Sequence, residues 1–246
     1  MNKYINIDHN SHMYDFNDLT RDNSNLCLYN KKQNRNHVTH MLEHHIRRYT
    51  RIRDILTIIK DNNLEGDILE FGSWKGYSLR MILYILESLE IYDKTVIGFD
   101  GFIGMPYKDG NHYIGMFGDT TYNLCMKNIE QFKYKYPKNL KNIHVGKFLF
   151  KQKQEIVEFI NNKDVSKASF VHVDCDVPQS CSEVFNILLE NNMISDICYI
   201  AFDDWGCTNS GIPKTMTELF KNITDWKITE YHNTDITKTF LFKKLY

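Results

Sequence analysis

Hydrophobic positions along the chain follow two periods in turn. From Thr39 onwards apolar residues recur at helical spacing, with the arginines of the stretch largely on other faces, which predicts one long amphipathic helix ending at residues 61–63. After Gly66, short apolar runs alternate with helical patterns, which predicts a parallel α/β sheet with helices on both faces. The apolar helix positions are Leu42, Ile46, Tyr49, Ile52, Leu56 and Ile59, the arginines are Arg47, Arg48, Arg51 and Arg53, and the predicted strands cover residues 67–71, 95–99, 142–145, 169–173 and 199–202.

The two ends of the chain differ from this central part. Residues 1 to about 36 are polar and aperiodic, which indicates either a loosely held arm or a segment that covers another part of the protein. At the other end, residues 226–231 and 237–242 predict two strands that form an antiparallel terminal hairpin. We therefore predict an arm and helix over residues 1–63 that cover the functional site, followed by an α/β domain over residues 64–246.

Two further helices have local start signals. The S-x-x-E spacing of Ser180 and Glu183 predicts a capping box, in which the two side chains satisfy backbone N–H groups at a helix start. Pro213 predicts the first turn of a later helix, because proline is tolerated there.

Charge and composition exclude several classes of partner. The chain has 30 Lys and Arg against 31 Asp and Glu, so its net charge of -1 gives no electrostatic reason to expect a nucleic acid or an anionic membrane. No apolar run approaches the roughly 20 residues of a membrane span, and the polar first residues do not resemble a signal peptide, so we expect a cytoplasmic protein. Homo-oligomer formation stays open.

The six cysteines lack zinc-site spacing and are expected to be free thiols: Cys27, Cys125, Cys175, Cys181, Cys198 and Cys207.

A glycine-containing segment over residues 70–78 follows the first predicted strand and precedes an apolar helix. Gly72 and Gly76 allow sharp turns and close approach to a ligand, and the next helix presents unpaired N–H groups. Glu70 would repel a pyrophosphate but would accept an ammonium or a hydroxyl group. The alternative is an ordinary turn between a strand and a helix.

Asp100 ends the second predicted strand. A carboxylate at this place can accept both hydroxyls of a ribose, although an aspartate before a glycine is also a common turn former. Together with Glu70 it indicates a ligand that contains adenosine.

Acidic residues end two further predicted strands. Asp174 and Asp176 are expected to share a face of one strand, and Asp203 and Asp204 end another. Four converging carboxylates repel one another unless a cation neutralises them or they share protons, and oxygen ligands favour Mg²⁺ or a similar ion. The alternative is a set of helix caps and solvated loop acids. His172, deeper along the same strand, is expected to be a packed, hydrogen-bonded histidine.

Four segments together resemble the macrocin O-methyltransferase family. They are EFGSWKGYS at 70–78, GFDGFIGMP at 98–106, VDCDVPQS at 173–180 and FDDWG at 202–206. The resemblance implies the class I methyltransferase fold, a Rossmann-like α/β fold with a seven-stranded, mostly parallel sheet, a C-terminal antiparallel hairpin and an N-terminal helical extension. It also implies methyl transfer from S-adenosylmethionine to a hydroxyl of a sugar or glycoside acceptor.

The resemblance also implies roles for single residues. Glu70, Gly72, Ser73, Gly76 and Ser78 would surround the methionine part of the cofactor, Asp100 would bind its ribose, Asp174, Asp203 and Asp204 would hold Mg²⁺, and Asp176 would be the general base. The chain departs from the family where a glycine follows Asp100, where Val177 and Pro178 follow Asp176, and at Trp205, where tyrosine is common. The last two departures lie near the expected acceptor pocket, so the acceptor's identity stays open.

Three other functions remain at this point. A catechol-type methyltransferase uses a similar acidic metal site, and a metal-dependent glycosyltransferase also carries an aspartate pair, although that hypothesis leaves residues 70–78 unexplained. A non-enzymatic scaffold could keep the same fold.

Residues 107–122, rich in glycine, aspartate and aromatic residues, are expected to form a lid over the site.

Overall fold

The computed structural model describes residues 31–163, 165, 167–206, 210–234 and 236–246, with side chains from Glu43 onwards. The predicted N-terminal arm lies outside the described residues up to residue 30. The chain divides into two compact units, residues 1–50 and 51–246, and the second contains the sheet and every site discussed below. The division of the chain at residue 63 stays a prediction.

The first helix, α1, is longer than predicted and spans Lys31–Asp61. The predicted apolar positions Ile52, Leu56 and Ile59 are fully buried, as the helical spacing indicates. Arg51 is also buried, with 2% of its surface exposed, although we expected the arginines to lie mainly on other faces. Arg51, Ile55 and Ile59 follow one another at intervals of four residues, so they share one face of the helix.

Seven strands form one sheet in the order β3-β2-β1-β4-β5-β7-β6. The first five strands pair in parallel, and β7 pairs antiparallel with both β5 and β6. The predicted parallel sheet and terminal hairpin are therefore confirmed. The strands are β1 (Asp67–Phe71), β2 (Val96–Asp100), β3 (Ile143–Lys147), β4 (Ala168–Val173), β5 (Ile194–Phe202), β6 (Trp226–Asn233) and β7 (Lys238–Lys244).

The first part of β5 was not predicted. The strand begins at Ile194, whereas the apolar run begins only at Tyr199. Its early residues include the partly exposed Ser195 and the exposed Asp196, so no apolar pattern marks them. The strand pairs with β4 at Ile194 and with β7 from Ile197, which lies opposite Lys243, so the polar residues lie between two paired positions.

The remaining helices connect the strands. The helix that contains Ser180 begins at Pro178, with Val177 as its cap residue and no side-chain cap, so the predicted capping box is wrong. Pro178 sets the first turn and Ser180 is buried within it. Pro213 does lie in the first turn of its helix, as predicted. These helices are α2 (Tyr77–Ser88), α3 (Tyr122–Gln131), α4 (Lys153–Asn161), α5 (Pro178–Glu190) and α6 (Ile212–Lys221).

The core consists of the apolar sides of the central strands and the helices packed on them. The four cysteines among the described residues, Cys125, Cys175, Cys181 and Cys198, are buried free thiols, as predicted for them. Within the described part of the chain, every helix is too short or too polar to cross a bilayer.

Candidate active site

The loop over residues 70–78, called the glycine loop below, lies against the end of β4. Gly72 has a φ of 98°, and a Cβ atom at this position would overlap the carbonyl oxygen of Asp174. The backbone N–H of Asp174 donates to the carbonyl of Phe71 at 2.9 Å, which continues the ladder between β1 and β4 by one residue. Glycine is therefore required at position 72, because it lets the loop touch the acidic strand end.

A second glycine shapes the far end of this loop. Gly76 has a φ of 80° and caps the start of α2, and a Cβ atom there would lie 3.0 Å from the sulfur of Cys125 in α3. This conformation brings the N-terminus of α2 close to α3. The N–H groups of the first turn of α2 are then available to a ligand bound at the glycine loop.

Glu70 is fully buried at the end of β1. Its Oε2 atom lies 3.1 Å from Nδ1 of His172, which sits beside it on β4. Its Oε1 atom and the hydroxyl of Ser73 are also buried, and among the described residues neither has a hydrogen-bond partner. Buried polar atoms are normally satisfied in native proteins, so these two atoms indicate a bound polar ligand.

Asp100 lies at the end of β2 and supports the glycine loop. Its two carboxylate oxygens accept the backbone N–H groups of Trp74 at 2.8 Å and Phe102 at 2.6 Å. Burial raises the pKa of Asp100; these two hydrogen bonds oppose that effect, and the charge of Glu70 adds to it. Each carboxylate oxygen can accept more than one hydrogen bond, so these contacts still allow Asp100 to bind hydroxyl groups.

The predicted acidic residues do come together; we call Asp174, Asp176, Asp203 and Asp204 the acidic cluster. Ligand atoms of Asp174, Asp176 and Asp204 lie within 4.8 Å of one another, and so do those of His172, Asp174 and Asp203. Asp174 belongs to both groups and is therefore the centre of the cluster.

The reason for the proximity of Asp174 and Asp176 is not the predicted one. Strand β4 ends at Val173, so the two residues do not share a strand face. Instead Asp176 has a φ of 58°, and the N–H of Val177 donates to the carbonyl of Cys175 at 2.6 Å. This tight turn carries Asp176 back towards Asp174, and aspartate tolerates the left-handed conformation better than most residues.

Asp203 is held differently from the other three acids. Its side chain is fully buried, and its Oδ1 atom lies 2.6 Å from Nη2 of Arg51. Arg51 also donates from Nη1 to the carbonyl of Phe202 at 3.3 Å. The other side of the same Oδ1 atom faces Nε2 of His172 at 3.7 Å, a distance that suits an ion pair but is too long for a direct hydrogen bond.

His172 thus lies between two carboxylates inside the sheet. Burial alone lowers the pKa of this imidazole, but the neighbouring carboxylates of Asp203 and Glu70 outweigh it and raise the pKa to about 9. A buried imidazolium between two anions explains how both carboxylates can be buried. The expectation of a packed, hydrogen-bonded histidine is confirmed.

Cys175 lies between two acids of the cluster but is buried, unlike a reactive thiol. Burial raises the pKa of its thiol well above the usual range. The thiol is therefore protonated at neutral pH and is a poor nucleophile.

The segment over residues 101–121, called the cover loop below, runs from β2 to α3 and contacts both halves of this region. On the glycine-loop side, Asp119 accepts from the Trp74 indole at 3.1 Å and from Lys75 at 2.6 Å. On the acidic side, Nε2 of His112 lies 3.8 Å from Oδ1 of Asp176.

Two more contacts fix the cover loop to the helices behind the acidic cluster. The hydroxyl of Tyr107 donates to Glu183 at 2.5 Å, and Asp109 accepts the N–H of Gly211 at 3.0 Å. Burial and the bond to Glu183 raise the pKa of Tyr107 to about 12, so its hydroxyl stays protonated and can donate.

Sequence reasoning missed Arg51, His112 and Asp119. The only sequence signal for Arg51 is its helical spacing of four and eight residues from Ile55 and Ile59. His112 and Asp119 lie in a loop without periodicity, so no pattern relates them to residues far away in the chain.

The chain matches known proteins over most of its length. The family model of the macrocin-O-methyltransferases (TylF) matches residues 31–241. A curated relative, the demethyldecarbamoylnovobiocin O-methyltransferase of Streptomyces niveus, is 33% identical over 70 residues. That match spans 28% of this chain and 27% of the relative's length.

Solved structures with a similar fold include two methyltransferases. The O-methyltransferase NovP matches with a TM-score of 0.63 at 17% identity, covering 81% of each chain. The calicheamicin methyltransferase CalS11, also described as a TDP-rhamnose 3'-O-methyltransferase, matches with a TM-score of 0.62 at 15% identity, covering 91% of each chain. These likenesses confirm the predicted class I methyltransferase fold.

Proposed function

The chain belongs to the macrocin O-methyltransferase family, and from this premise we propose that it transfers a methyl group from S-adenosylmethionine to a hydroxyl of a sugar or glycoside. The family assignment decides between a methyltransferase and a glycosyltransferase in favour of the first. The observation that carries the proposal is the contact between the glycine loop and the acidic cluster at Gly72 and Asp174, because these are the proposed cofactor site and the proposed site of an activated hydroxyl.

The glycine loop and Asp100 are the proposed cofactor site. The buried Oε1 atom of Glu70 suits the ammonium of the methionine part, and the hydroxyl of Ser73 lies in the same loop. Gly72 and Gly76 give the backbone its close approach, Ser78 lies at the start of α2, and Asp100 suits the ribose hydroxyls. Two acidic residues therefore match two parts of one molecule, the ammonium group and the ribose.

The acidic cluster fits a divalent cation. Carboxylate oxygens are the ligands that Mg²⁺ prefers, and Asp174 has acidic neighbours within 4.8 Å on both sides. We propose Asp174, Asp203 and Asp204 as the ligands. When bound, the ion would lower the pKa of an acceptor hydroxyl and help to orient it.

Asp176 is the proposed general base. It is part of the cluster, yet about 20% of its side chain is exposed, so an acceptor can reach it. In the reaction the acceptor oxygen forms a bond to the methyl carbon while the carbon–sulfur bond breaks. The bonding pair stays on sulfur, and the hydroxyl proton passes to the Asp176 carboxylate.

The cover loop is proposed to act as the lid. It contacts the glycine loop through Asp119 and the acidic cluster through His112, so it spans both ligand sites. Its closure would exclude water while cofactor and acceptor are aligned.

A methyl-transfer assay tests this function. The full chain is incubated with radiolabelled S-adenosylmethionine and a panel of nucleoside diphosphate sugars, free deoxysugar glycosides and catechol, with Mg²⁺ or with EDTA. We expect label in a sugar with Mg²⁺ and a loss of at least about a hundredfold with EDTA. Label in catechol alone would contradict the proposed acceptor class, and full activity in EDTA would contradict the role of the metal.

A further inference from the structure

His172 connects the two proposed ligand sites. It lies on β4, the strand between β1 and β5, with Glu70 as its register partner on one side and Ala201 on the other. Its Nδ1 atom faces Glu70 at 3.1 Å and its Nε2 atom faces Asp203 at 3.7 Å. No part of the imidazole is exposed, so it cannot itself touch the cofactor or the acceptor.

The contact with His172 distinguishes the two oxygens of Glu70. Oε2 is taken by the imidazole, while Oε1 is buried and has no hydrogen-bond partner among the described residues. A carboxylate with one oxygen fixed cannot rotate freely, so the second oxygen keeps one direction. Such fixing reduces the ordering cost when a cation binds to the second oxygen.

The other side of the imidazole faces a carboxylate that is itself held by an arginine. Arg51 holds Oδ1 of Asp203 at 2.6 Å, and this same oxygen faces Nε2 of His172. All four side chains of the row Arg51, Asp203, His172 and Glu70 are buried. The row therefore runs from α1 to the end of β1, with hydrogen bonds at its two ends and the longer 3.7 Å ion pair of His172 with Asp203 in the middle.

We propose that His172 is a positioning residue that presents Oε1 of Glu70 to the ammonium group of the cofactor, while Asp203 and Arg51 hold the imidazole in place. This inference rests on the proposed function, because the ligand concerned is the proposed cofactor. It assigns to the row a role in cofactor affinity that is separate from stabilising the fold.

Two conservative variants distinguish the roles of the two ring nitrogens of His172. Asparagine places its amide nitrogen near the position of Nδ1, so His172→Asn keeps a donor for Glu70. Glutamine places its amide near the position of Nε2, so His172→Gln keeps a donor for Asp203 and loses the one for Glu70. Both variants remove the same charge, and each is therefore the control for the other.

Calorimetric titration with S-adenosylhomocysteine measures the effect without requiring turnover. We expect the Kd of His172→Asn to stay within about threefold of the wild type and that of His172→Gln to rise at least about tenfold, the size of a lost hydrogen bond to a charged group. In the Glu70→Gln background, the two His172 variants should agree within about twofold, because the oriented carboxylate is gone.

Equal losses in both variants would indicate a purely structural role and overturn the inference. A difference that persists with Glu70→Gln would also overturn it. A wild type that does not bind S-adenosylhomocysteine would overturn the proposed function and this inference together, whereas wild-type binding without an Asn/Gln difference overturns the inference alone.

A further variant decides the matter if neither His172 variant folds. Glu70→Asp keeps the charge but shortens the side chain, so one carboxylate cannot contact both the imidazole and the cofactor. We expect at least a tenfold rise in its Kd for S-adenosylhomocysteine. An unchanged Kd in folded Glu70→Asp would overturn the inference.

Discussion

The glycine loop and the acidic cluster lie side by side at one edge of the sheet, but different contacts hold them. The glycine loop is fixed mainly by backbone groups: the N–H groups of Gly72 and Ser73 donate to Phe99, and that of Trp74 donates to Asp100. The acidic cluster depends on side chains, above all the ion pair of Asp203 with Arg51.

Because of this difference, the glycine loop and the acidic cluster should respond differently to mutation. Backbone hydrogen bonds survive most side-chain changes, whereas a buried ion pair fails when one partner is removed. We therefore expect substitutions in the glycine loop to change mainly cofactor affinity. Substitutions of Asp174, Asp176 and Asp204 should change turnover. Substitution of Asp203, which contacts both Arg51 and His172, should also change stability and cofactor affinity.

Asp174→Asn is the sharpest test of this separation. It removes one charge from the centre of the acidic cluster while keeping the size of the side chain. We expect kcat to fall about 10³- to 10⁴-fold, since both metal binding and orientation of the acceptor are lost. The Kd for S-adenosylhomocysteine should stay within about threefold, as measured by calorimetry.

The matched control for this change is Asp93→Asn, because 78% of the Asp93 side chain is exposed. Both kcat and Kd should be unchanged in it. If Asp174→Asn weakened cofactor binding as much as it lowered kcat, the separation of the two halves would be wrong.

Arg51→Met should have the next largest effect, and it should appear in stability. The variant leaves the buried Asp203 carboxylate without its arginine, which costs about 3–4 kcal/mol of the free energy of unfolding in urea titrations. Adding Asp203→Leu should recover at least half of that loss, since it removes the buried anion. A loss below about 1 kcal/mol in Arg51→Met would show that this ion pair does not hold the cluster.

Asp100→Asn tests the proposed cofactor site, which consists of the glycine loop and Asp100. An amide accepts fewer hydrogen bonds from a ribose and its nearby N–H groups than a carboxylate does. We expect the Kd for S-adenosylhomocysteine to rise about 10- to 30-fold, the value of a hydrogen bond to a charged group. The Kd for Mg²⁺ should not change, and a large shift in Mg²⁺ affinity would contradict the separation.

The smallest expected effect concerns the cover loop, which contacts both the glycine loop and the acidic cluster. Tyr107→Phe removes the hydrogen bond to Glu183, worth about 1 kcal/mol. We expect the KM for the acceptor to rise about three- to fivefold in steady-state assays, with the Kd for S-adenosylhomocysteine unchanged. An unchanged KM would mean that this contact does not hold the lid closed.

The glycine loop and the acidic cluster also differ in how much of their geometry can be predicted from the sequence. The glycine loop is contiguous, so strand, glycines and helix follow one another within residues 70–78 and their geometry is local. The convergence of the acids was predictable too, because parallel strands end at one edge of a sheet. The turn at Asp176 was not, since an aspartate in a left-handed conformation has no distinctive sequence signal.

Contacts between residues far apart in the chain could not be predicted from the sequence. Arg51 and Asp203 are 152 positions apart, and a hydrophobic pattern says which face of a helix is buried but not which polar residue it meets. The capping box failed for a related reason: Pro178 already starts the helix, so Ser180 lies inside it rather than at its cap.

A crystal structure of the full chain with S-adenosylhomocysteine and Mn²⁺ tests the central claim most directly, because the anomalous signal of manganese locates the ion. The account predicts the amine of the ligand at Glu70, its ribose at Asp100, and an anomalous peak bound by Asp174. An S-adenosylhomocysteine molecule bound away from the glycine loop, or an acidic cluster without an ion at millimolar Mn²⁺, would contradict it.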